Sequence, residues 1–139
     1  MTAGKRVMLV DDDKHAREGY QLYLSGKGFR VHGFDGGTDA LAFALSSRPD
    51  LVVLDLGLPD VDGWEVARRL KGDAHTKDIP IIAFSGRSMQ HEQVSALRAG
   101  CDLYLTKPCA PDRLLGAIRK LLGLTAQTAD RTDTNRDPY

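Results

Sequence analysis

Short apolar runs alternate along this chain with segments in which apolar residues recur at the spacing of a helix. The runs are rich in β-branched and aliphatic residues and are too short to be buried helices, which is typical of strands that are covered on both faces. The repeated alternation predicts a parallel sheet wrapped by helices. We expect the strands at residues 7–10, 29–33, 51–54, 79–84 and 102–105.

Five helices are expected between and after these strands, because apolar residues recur there three or four positions apart. The residues predicted to face inward are Ala16, Tyr20, Tyr23 and Leu24; Leu41 and Leu45; Val66 and Leu70; Val94 and Leu97; and Leu114, Ile118 and Leu121. Gly26, Gly72 and Gly100 are expected to end the first, third and fourth helices. Thr38 is the predicted N-cap of the second helix.

The length and composition indicate one soluble domain. A chain of 139 residues can bury most of its apolar surface without disulfides, so Cys101 and Cys109 are expected to be small core or edge residues. Lys plus Arg and Asp plus Glu number 19 each, which gives no overall charge to attract nucleic acid or an anionic membrane. No run approaches the roughly 18 apolar residues of a membrane span, so we expect a cytoplasmic protein without a membrane partner.

The C-terminal segment differs in composition from the rest of the chain. Past Gly123 the sequence has little apolar content and no period. We therefore expect residues 1–123 to form the domain and residues 124–139 to be a disordered tail.

Polar residues that could do chemistry follow the last apolar residue of four predicted strands. They are Asp11, Asp12 and Asp13 after Val10, Asp55 after Leu54, Ser85 after Phe84, and Lys107 after Leu105 and Thr106. Parallel strands all point the same way, so these positions share the carboxyl edge of the sheet, where open α/β sheets bind ligands. Each one alone could be an ordinary turn or cap, but their joint placement favours a functional site.

The acidic residues of this edge predict a bound divalent cation. Like-charge repulsion makes it costly to bring Asp11, Asp12 and Asp55 together unless a cation neutralises them or a proton is shared. Lys107 supplies one positive charge and cannot balance three carboxylates. Oxygen ligands favour Mg²⁺, or Mn²⁺ in its place. The expected ligands are Asp12, Asp55 and the backbone carbonyl of Gly57, with Asp11 bound directly or through water.

Asp55 is then the predicted nucleophile of a phosphoryl transfer that gives an aspartyl phosphate. The cation and Lys107 would stabilise charge on the transferring oxygens. The Ser85 hydroxyl would hydrogen-bond the bound phosphoryl group and so report its arrival.

With these residues in place, the chain resembles bacterial response-regulator receiver domains over roughly residues 5–122, including single-domain receivers of the chemotaxis-regulator type. The resemblance lies in VMLVDDD with Asp11 and Asp12, LVVLDLGLPDVDGWE with Asp55, IIAFSG with Ser85, and LYLTKP with Lys107. It implies a flavodoxin-like, doubly wound α/β fold with five helices and a five-stranded parallel sheet of order 2-1-3-4-5, an order that is known for such proteins. It also implies a cis peptide bond between Lys107 and Pro108.

The resemblance further implies how the protein is used. The phosphoryl donor would be a phosphohistidine on a sensor histidine kinase or a histidine phosphotransfer protein, and the protein would catalyse its own phosphorylation without being a turnover enzyme. Tyr104 would change rotamer when Ser85 moves toward the phosphoryl group. The fourth helix, fifth strand and fifth helix would then bind a downstream protein target.

Two features bear on further partners. Leu115 and Leu122 form a second apolar set on the fifth helix, which either packs at the helix margin or contacts a partner, including a second copy in a homodimer. No output domain follows Gly123, so DNA is not an expected partner. A stand-alone regulator and a piece of a larger regulator or hybrid kinase both remain open.

Three other functions must be compared with the residues of this sequence. A phosphatase of the haloacid-dehalogenase kind needs a second Asp two residues after its nucleophile, and position 57 is Gly. A flavodoxin-like nucleotide binder would need a first loop that attracts phosphate, whereas three consecutive Asp residues repel an anion. The remaining alternative is an adaptor that has the fold and acts by protein contact without phosphorylation. Its usual sign, loss of an acidic, hydroxyl or lysine position, is not seen.

Overall fold

The sheet at the centre of the protein has five parallel strands in the order β2-β1-β3-β4-β5. The strands are β1 (Arg6–Val10), β2 (Arg30–Phe34), β3 (Leu51–Asp55), β4 (Ile81–Ser85) and β5 (Leu103–Thr106). The predicted fold class and strand order are therefore confirmed. The predicted strand bounds were wrong by one or two residues in places, as in β4, which begins at Ile81 and not at residue 79.

Five helices cover the two faces of this sheet in the computed structural model, which describes residues 4–86 and 90–124. They are α1 (Lys14–Gly26), α2 (Gly37–Ser47), α3 (Gly63–Gly72), α4 (Gln90–Arg98) and α5 (Pro111–Leu121). Within those ranges no helix is long and apolar enough to cross a membrane. Of the predicted tail only Leu124 is described, and positions 125–139 lie outside the described residues.

Alternate residues of the buried strands divide the interior into two cores. The α1/α5 core contains Val7, Leu9, Leu51, Val53, Ile82 and Phe84 of the sheet together with buried residues of α1 and α5. The α2–α4 core contains Met8, Val10, Val52, Leu54, Ile81 and Ala83 together with α2, α3 and α4. A parallel sheet covered on both faces is the arrangement that the continuous apolar runs predicted.

Most predicted inward residues are buried or partly buried, but three predictions were wrong. Leu45 is 38% exposed, Val94 43% and Leu97 51%. The helices that carry them pack through Ala40 and Ala44, together with Leu41, in α2 and through Ala96 in α4. Alanine lets a helix approach the sheet closely at these positions, which leaves Leu45, Val94 and Leu97 on the solvent side.

The predicted N-cap of α2 was also wrong. Helix α2 starts at Gly37 with Gly36 as its N-cap, and Gly36 has no side chain to cap with. The N–H groups of Gly37 and Thr38 donate to the Asp60 carboxylate, at 2.7 and 3.0 Å. Because this cap comes from a different loop, the local sequence around Thr38 could not reveal it.

Other expectations about packing are confirmed. Cys101 and Cys109 are buried. Leu115 is buried in the α1/α5 core and Leu122 packs against the same core, which supports packing at the helix margin over a partner contact for these two residues. Helices α1 and α3 end at Gly26 and Gly72 as predicted, whereas α4 ends at Arg98, two residues before Gly100.

Candidate functional site

The register of the sheet brings Asp11 and Asp55 side by side. Val10 of β1 pairs with Leu54 of β3. Asp11 directly follows Val10, and Asp55 directly follows Leu54. Successive residues of a strand face opposite sides, so the two carboxylates fall on the face that is covered by α1 and α5. Asp11 is fully buried and Asp55 is 7% exposed. Two acidic groups are thus held together with little access to water.

Asp12 completes a cluster of three carboxylates. Ligand oxygens of Asp11, Asp12 and Asp55 lie within 4.8 Å of one another, and Asp12 is on the exposed side. Three negative groups at this distance, two of them buried, repel one another unless a cation lies between them. The oxygen donors suit a hard divalent cation such as Mg²⁺. The residues present therefore fit the predicted metal.

Gly57 lies beside this cluster through its backbone. Its N–H group donates to Asp55 Oδ1 at 2.9 Å. The structure thus brings Gly57 next to Asp55, and the role of its carbonyl as a metal ligand stays a prediction. The remaining acid of the first loop, Asp13, accepts hydrogen bonds from the N–H groups of His15 and Ala16. Asp13 is the N-cap of α1 and lies outside the three-carboxylate cluster.

Lys107 is the cation that the structure places at the site. Its Nζ atom is 2.9 Å from Asp11 Oδ2 and 3.4 Å from Asp55 Oδ2. The same Nζ lies 5.6 Å from the centre of the Phe84 ring, which adds a cation–π contact. The Lys107–Pro108 peptide bond is cis, as the resemblance implied. Among the ion pairs of the described residues, one ammonium is shared by two carboxylates, which leaves net negative charge on this group.

Asp55 and the half-buried Lys107 shift each other's proton affinity. Burial raises the pKa of Asp55, and the Asp11 charge adds to this, although the Gly57 N–H group and Lys107 act in the opposite direction. Burial lowers the pKa of Lys107, but the hydrogen bond and charge of Asp11 and the charge of Asp55 outweigh it, so that the pKa is raised. Lys107 is therefore firmly protonated. The positive charge beside Asp55 is too small to offset the burial of its carboxylate.

Ser85 and Tyr104 lie in β4 and β5, the two strands that follow β3 in the strand order. Ser85 is the last residue of β4 and is 6% exposed. The Lys107 N–H group donates to the Ser85 carbonyl at 2.7 Å, which holds the two strand ends together. Tyr104 pairs with Ala83 in β5 and packs, partly buried, against the α2–α4 core. Ser85 is at the end of its strand, where it was predicted, and the switching roles of Ser85 and Tyr104 stay predictions.

Two residues near the site were missed from the sequence. Arg17 of α1 donates from Nη1 to the Asp11 carbonyl at 2.8 Å. Tyr20, which was predicted only as an inward apolar residue, donates its hydroxyl to the Cys109 carbonyl at 2.7 Å and so holds the segment that carries Lys107. A polar residue one turn into a helix gives no sequence signal for such a contact, although an inward-facing Tyr does demand a partner for its hydroxyl.

The five-stranded parallel sheet with an acidic cluster at its carboxyl edge is typical of a signalling receiver domain, and comparison with known proteins gives its family. The model of the response regulator receiver domain matches residues 7–119. The chain belongs to the response regulator receiver domain family of two-component systems. Members of this family are signalling proteins and not metabolic enzymes.

Curated relatives and solved structures agree with this assignment. The chain is 42% identical over 120 residues to response regulator MprA of Mycobacterium tuberculosis, a match that covers 86% of this chain and 51% of the relative. MprA of Mycobacterium avium is 40% identical over 125 residues, with 90% and 54% covered. The chain thus spans about half the length of the curated relatives it matches.

Two solved receivers have the same architecture. A CheY-like receiver domain protein from Methanospirillum hungatei superposes with a TM-score of 0.82 at 27% identity, covering 87% of this chain and 95% of that one. The receiver domain of sensor histidine kinase PA1611 from Pseudomonas aeruginosa has a TM-score of 0.81 at 28% identity, covering 87% and 99%. That receiver was solved with a magnesium ion coordinated in its active site cleft.

Proposed function

We propose that this protein is a phosphorylation switch in which Asp55 accepts a phosphoryl group from a phosphohistidine, with Mg²⁺ or Mn²⁺ bound by Asp11, Asp12, Asp55 and the Gly57 carbonyl. The observation that carries the proposal is the meeting of Asp11, Asp55 and Lys107 at one sheet edge, with Lys107 Nζ 2.9 and 3.4 Å from the two carboxylates. The magnesium ion in the PA1611 receiver supports the choice of metal.

The transfer follows from the positions of these groups. A carboxylate oxygen of Asp55 attacks phosphorus while the P–N bond to the donor imidazole breaks, and the imidazole leaves with the electron pair and takes up a proton. Lys107 is placed to stabilise negative charge on the phosphoryl oxygens without moving far from Asp55. A bound divalent cation would supply the further positive charge that three carboxylates and a phosphoryl group require. The small exposure of Asp55 limits attack by bulk water.

The donor would be a sensor histidine kinase or a histidine phosphotransfer protein, and the output would be a protein contact. Ser85 ends the strand that pairs with β3, so its hydroxyl would hydrogen-bond the phosphoryl group, and Tyr104 is in the next strand, β5. The surface formed by α4, β5 and α5 would change with these two side chains and bind a downstream target or a second copy of the chain. The relatives are bacterial response regulators, which supports a cytoplasmic place of action.

A receiver-fold adaptor that is never phosphorylated is the weaker reading. Such an adaptor has no need for buried carboxylates that repel one another, because they cost stability without a metal or phosphoryl group to bind. All five groups of the phosphorylation set, which are Asp11, Asp12, Asp55, Ser85 and Lys107, are present at one edge of the sheet.

The direct test is the intact mass of the protein after incubation with acetyl phosphate and Mg²⁺. We expect a single phosphoryl adduct that is absent in Asp55→Asn and absent when EDTA replaces Mg²⁺. Asp102→Asn is the matched control, because it removes a carboxylate from the opposite edge of the sheet and should leave the adduct intact. If the wild-type protein gains no adduct under conditions that label another receiver, the adaptor reading takes its place.

A further inference from the structure

We propose that Asp60 positions the metal-binding loop by fastening it to the N-terminus of α2. This loop, residues 56–62, joins β3 to α3 and carries Gly57, whose carbonyl is a proposed metal ligand. Asp60 is thus inferred to be a positioning residue for the phosphorylation site, an inference that rests on the function proposed above.

The contact is a pair of hydrogen bonds between elements that are distant in sequence. Asp60 Oδ1 accepts from the Gly37 N–H group at 2.7 Å and Oδ2 accepts from the Thr38 N–H group at 3.0 Å. These are two of the N–H groups that the first turn of a helix leaves without a partner. The donors lower the pKa of the Asp60 carboxyl well below its usual range, Thr38 having the largest effect. Asp60 therefore carries its charge throughout the neutral range.

Two glycines allow the α2 terminus and the loop to approach this closely. A Cβ atom on Gly36 would lie 3.0 Å from Asp60 Oδ2, and one on Gly37 would lie 2.9 Å from Val66 Cγ2 and 3.1 Å from Val61. The φ angle of Gly36 is −150°, so its backbone is open to any residue. Close packing against the loop, and not backbone conformation, is what Gly36 serves here.

The loop is held on both sides of Asp60. At its start the Leu56 N–H group donates to the Phe84 carbonyl at 3.0 Å and the Gly57 N–H group donates to Asp55 Oδ1 at 2.9 Å. At its end Gly63 packs so tightly that an added Cβ would lie 2.6 Å from Leu56 Cα. Only Leu58 and Pro59 separate Gly57 from Asp60, and proline fixes its own φ. A displacement at Asp60 would therefore reach the Gly57 carbonyl.

A second acidic residue of the same loop, Asp62, has a different role. Asp62 accepts from the Trp64 N–H group at 3.0 Å and is the N-cap of α3, the helix that directly follows it. Asp60 instead accepts hydrogen bonds at both carboxylate oxygens from N–H groups of α2, a helix that is distant in sequence. Its carboxylate ties the loop to a separate element, and this is the basis for assigning it a positioning role.

The experiment measures the initial rate of adduct formation at fixed acetyl phosphate while the Mg²⁺ concentration is varied. Because partners that hold a metal ligand in place typically matter tenfold or more, we expect Asp60→Ala to raise the half-saturating Mg²⁺ concentration on the order of fivefold to tenfold. The rate at saturating Mg²⁺ should change much less, since Asp55 and Lys107 are untouched. Asp39→Asn is the matched control, because it removes an exposed carboxylate from the first turn of α2 without touching the loop.

A double variant separates positioning from simple capping of α2. In Gly36→Ser combined with Asp60→Ala, the serine can cap α2 locally, and the oxygens that crowded position 36 are gone. We expect this variant to recover the melting temperature of the wild type while the half-saturating Mg²⁺ concentration stays raised.

Recovery of both properties would show that Asp60 only caps a helix and would overturn the proposal, as would an Asp60→Ala variant that behaves like Asp39→Asn. If the wild-type protein takes up no phosphoryl group at all, the proposed function fails. Calorimetric titration of wild type and Asp60→Ala with Mg²⁺ alone then decides the positioning role separately, and equal affinities would overturn it.

Discussion

Aspartates at the two edges of the sheet are used in opposite ways. At the amino edge Asp50 and Asp102 each have their own hydrogen-bond partners. Asp50 Oδ2 accepts from the Arg6 N–H group at 2.7 Å and joins β3 to β1. Asp102 Oδ2 accepts from the Ile81 N–H group at 2.8 Å and from Lys71 Nζ at 3.4 Å. These two carboxylates have a structural role, because each accepts hydrogen bonds from groups of neighbouring elements.

At the carboxyl edge the carboxylates converge instead of dispersing. Asp11 and Asp55 share the single ammonium of Lys107, and Asp12 adds a third negative group. Buried like charges with too few partners are costly, and such a cost is typical of sites that bind a metal or a phosphoryl group. The difference shows that convergence, and not the mere presence of an acid at a strand end, distinguishes the site from the scaffold.

The largest expected effect compares the two lysines. Lys107→Met removes the ammonium that stabilises the transferring phosphoryl oxygens and should slow adduct formation from acetyl phosphate about a hundredfold, the usual loss for one such donor. Lys71→Met removes an ammonium at the amino edge, where it donates to the Ile79 carbonyl at 2.7 Å, and should leave the rate nearly unchanged. Equal losses in both variants, at equal helix content by circular dichroism, would mean that the edges do not differ in function.

A smaller effect of opposite sign is expected in stability. In magnesium-free buffer Asp55→Asn should raise the free energy of unfolding by about 1 kcal/mol, the usual scale of a single substitution, because it relieves repulsion and keeps an acceptor for Gly57. Asp102→Ala should lower it by about 1–2 kcal/mol, because the Ile81 N–H group loses its acceptor. Urea unfolding of both variants measures the two changes. A loss of stability in Asp55→Asn would show that the Asp55 carboxylate stabilises the fold as that of Asp102 does.

The smallest effect is a dependence on pH. Because the pKa of Asp55 is raised in the folded state above its ordinary 3.8, the folded protein holds this proton when the unfolded chain has lost it. The contribution of this proton to the free energy of unfolding is complete below pH 3.8. It is lost as pH rises through the pKa that Asp55 has in the folded state.

Chelator-containing buffer without Mg²⁺ makes this contribution visible. The unfolding free energy of the wild type minus that of Asp55→Asn should fall as pH rises above 3.8, with a slope of at most about 1.4 kcal/mol per pH unit. The pKa of Asp60 is lowered in the folded state. Its contribution to the unfolding free energy should therefore change in the opposite direction, falling as pH falls below 3.8. A flat difference for Asp55 would mean that its carboxylate is as well satisfied as those of the amino edge.

The sequence alone determined the parallel sheet, the five helices and the edge at which chemistry gathers. Apolar periodicity reports burial directly, because strands covered on both faces need continuous apolar residues. Parallel strands must also end at the same edge, so Asp11, Asp55, Ser85 and Lys107 could be placed together before any distance was known. The strand order came from the family resemblance.

Only the tertiary structure decided which contacts hold the site in place. Arg17 on the Asp11 carbonyl, Tyr20 on the Cys109 carbonyl and Asp60 on the first turn of α2 join residues that no local pattern connects. The exposed Leu97 shows the same limit, because the close packing of Ala96 decided which face of α4 turned inward. Periodicity records how much a segment is buried, but the partners of a polar group depend on how separate elements meet in space.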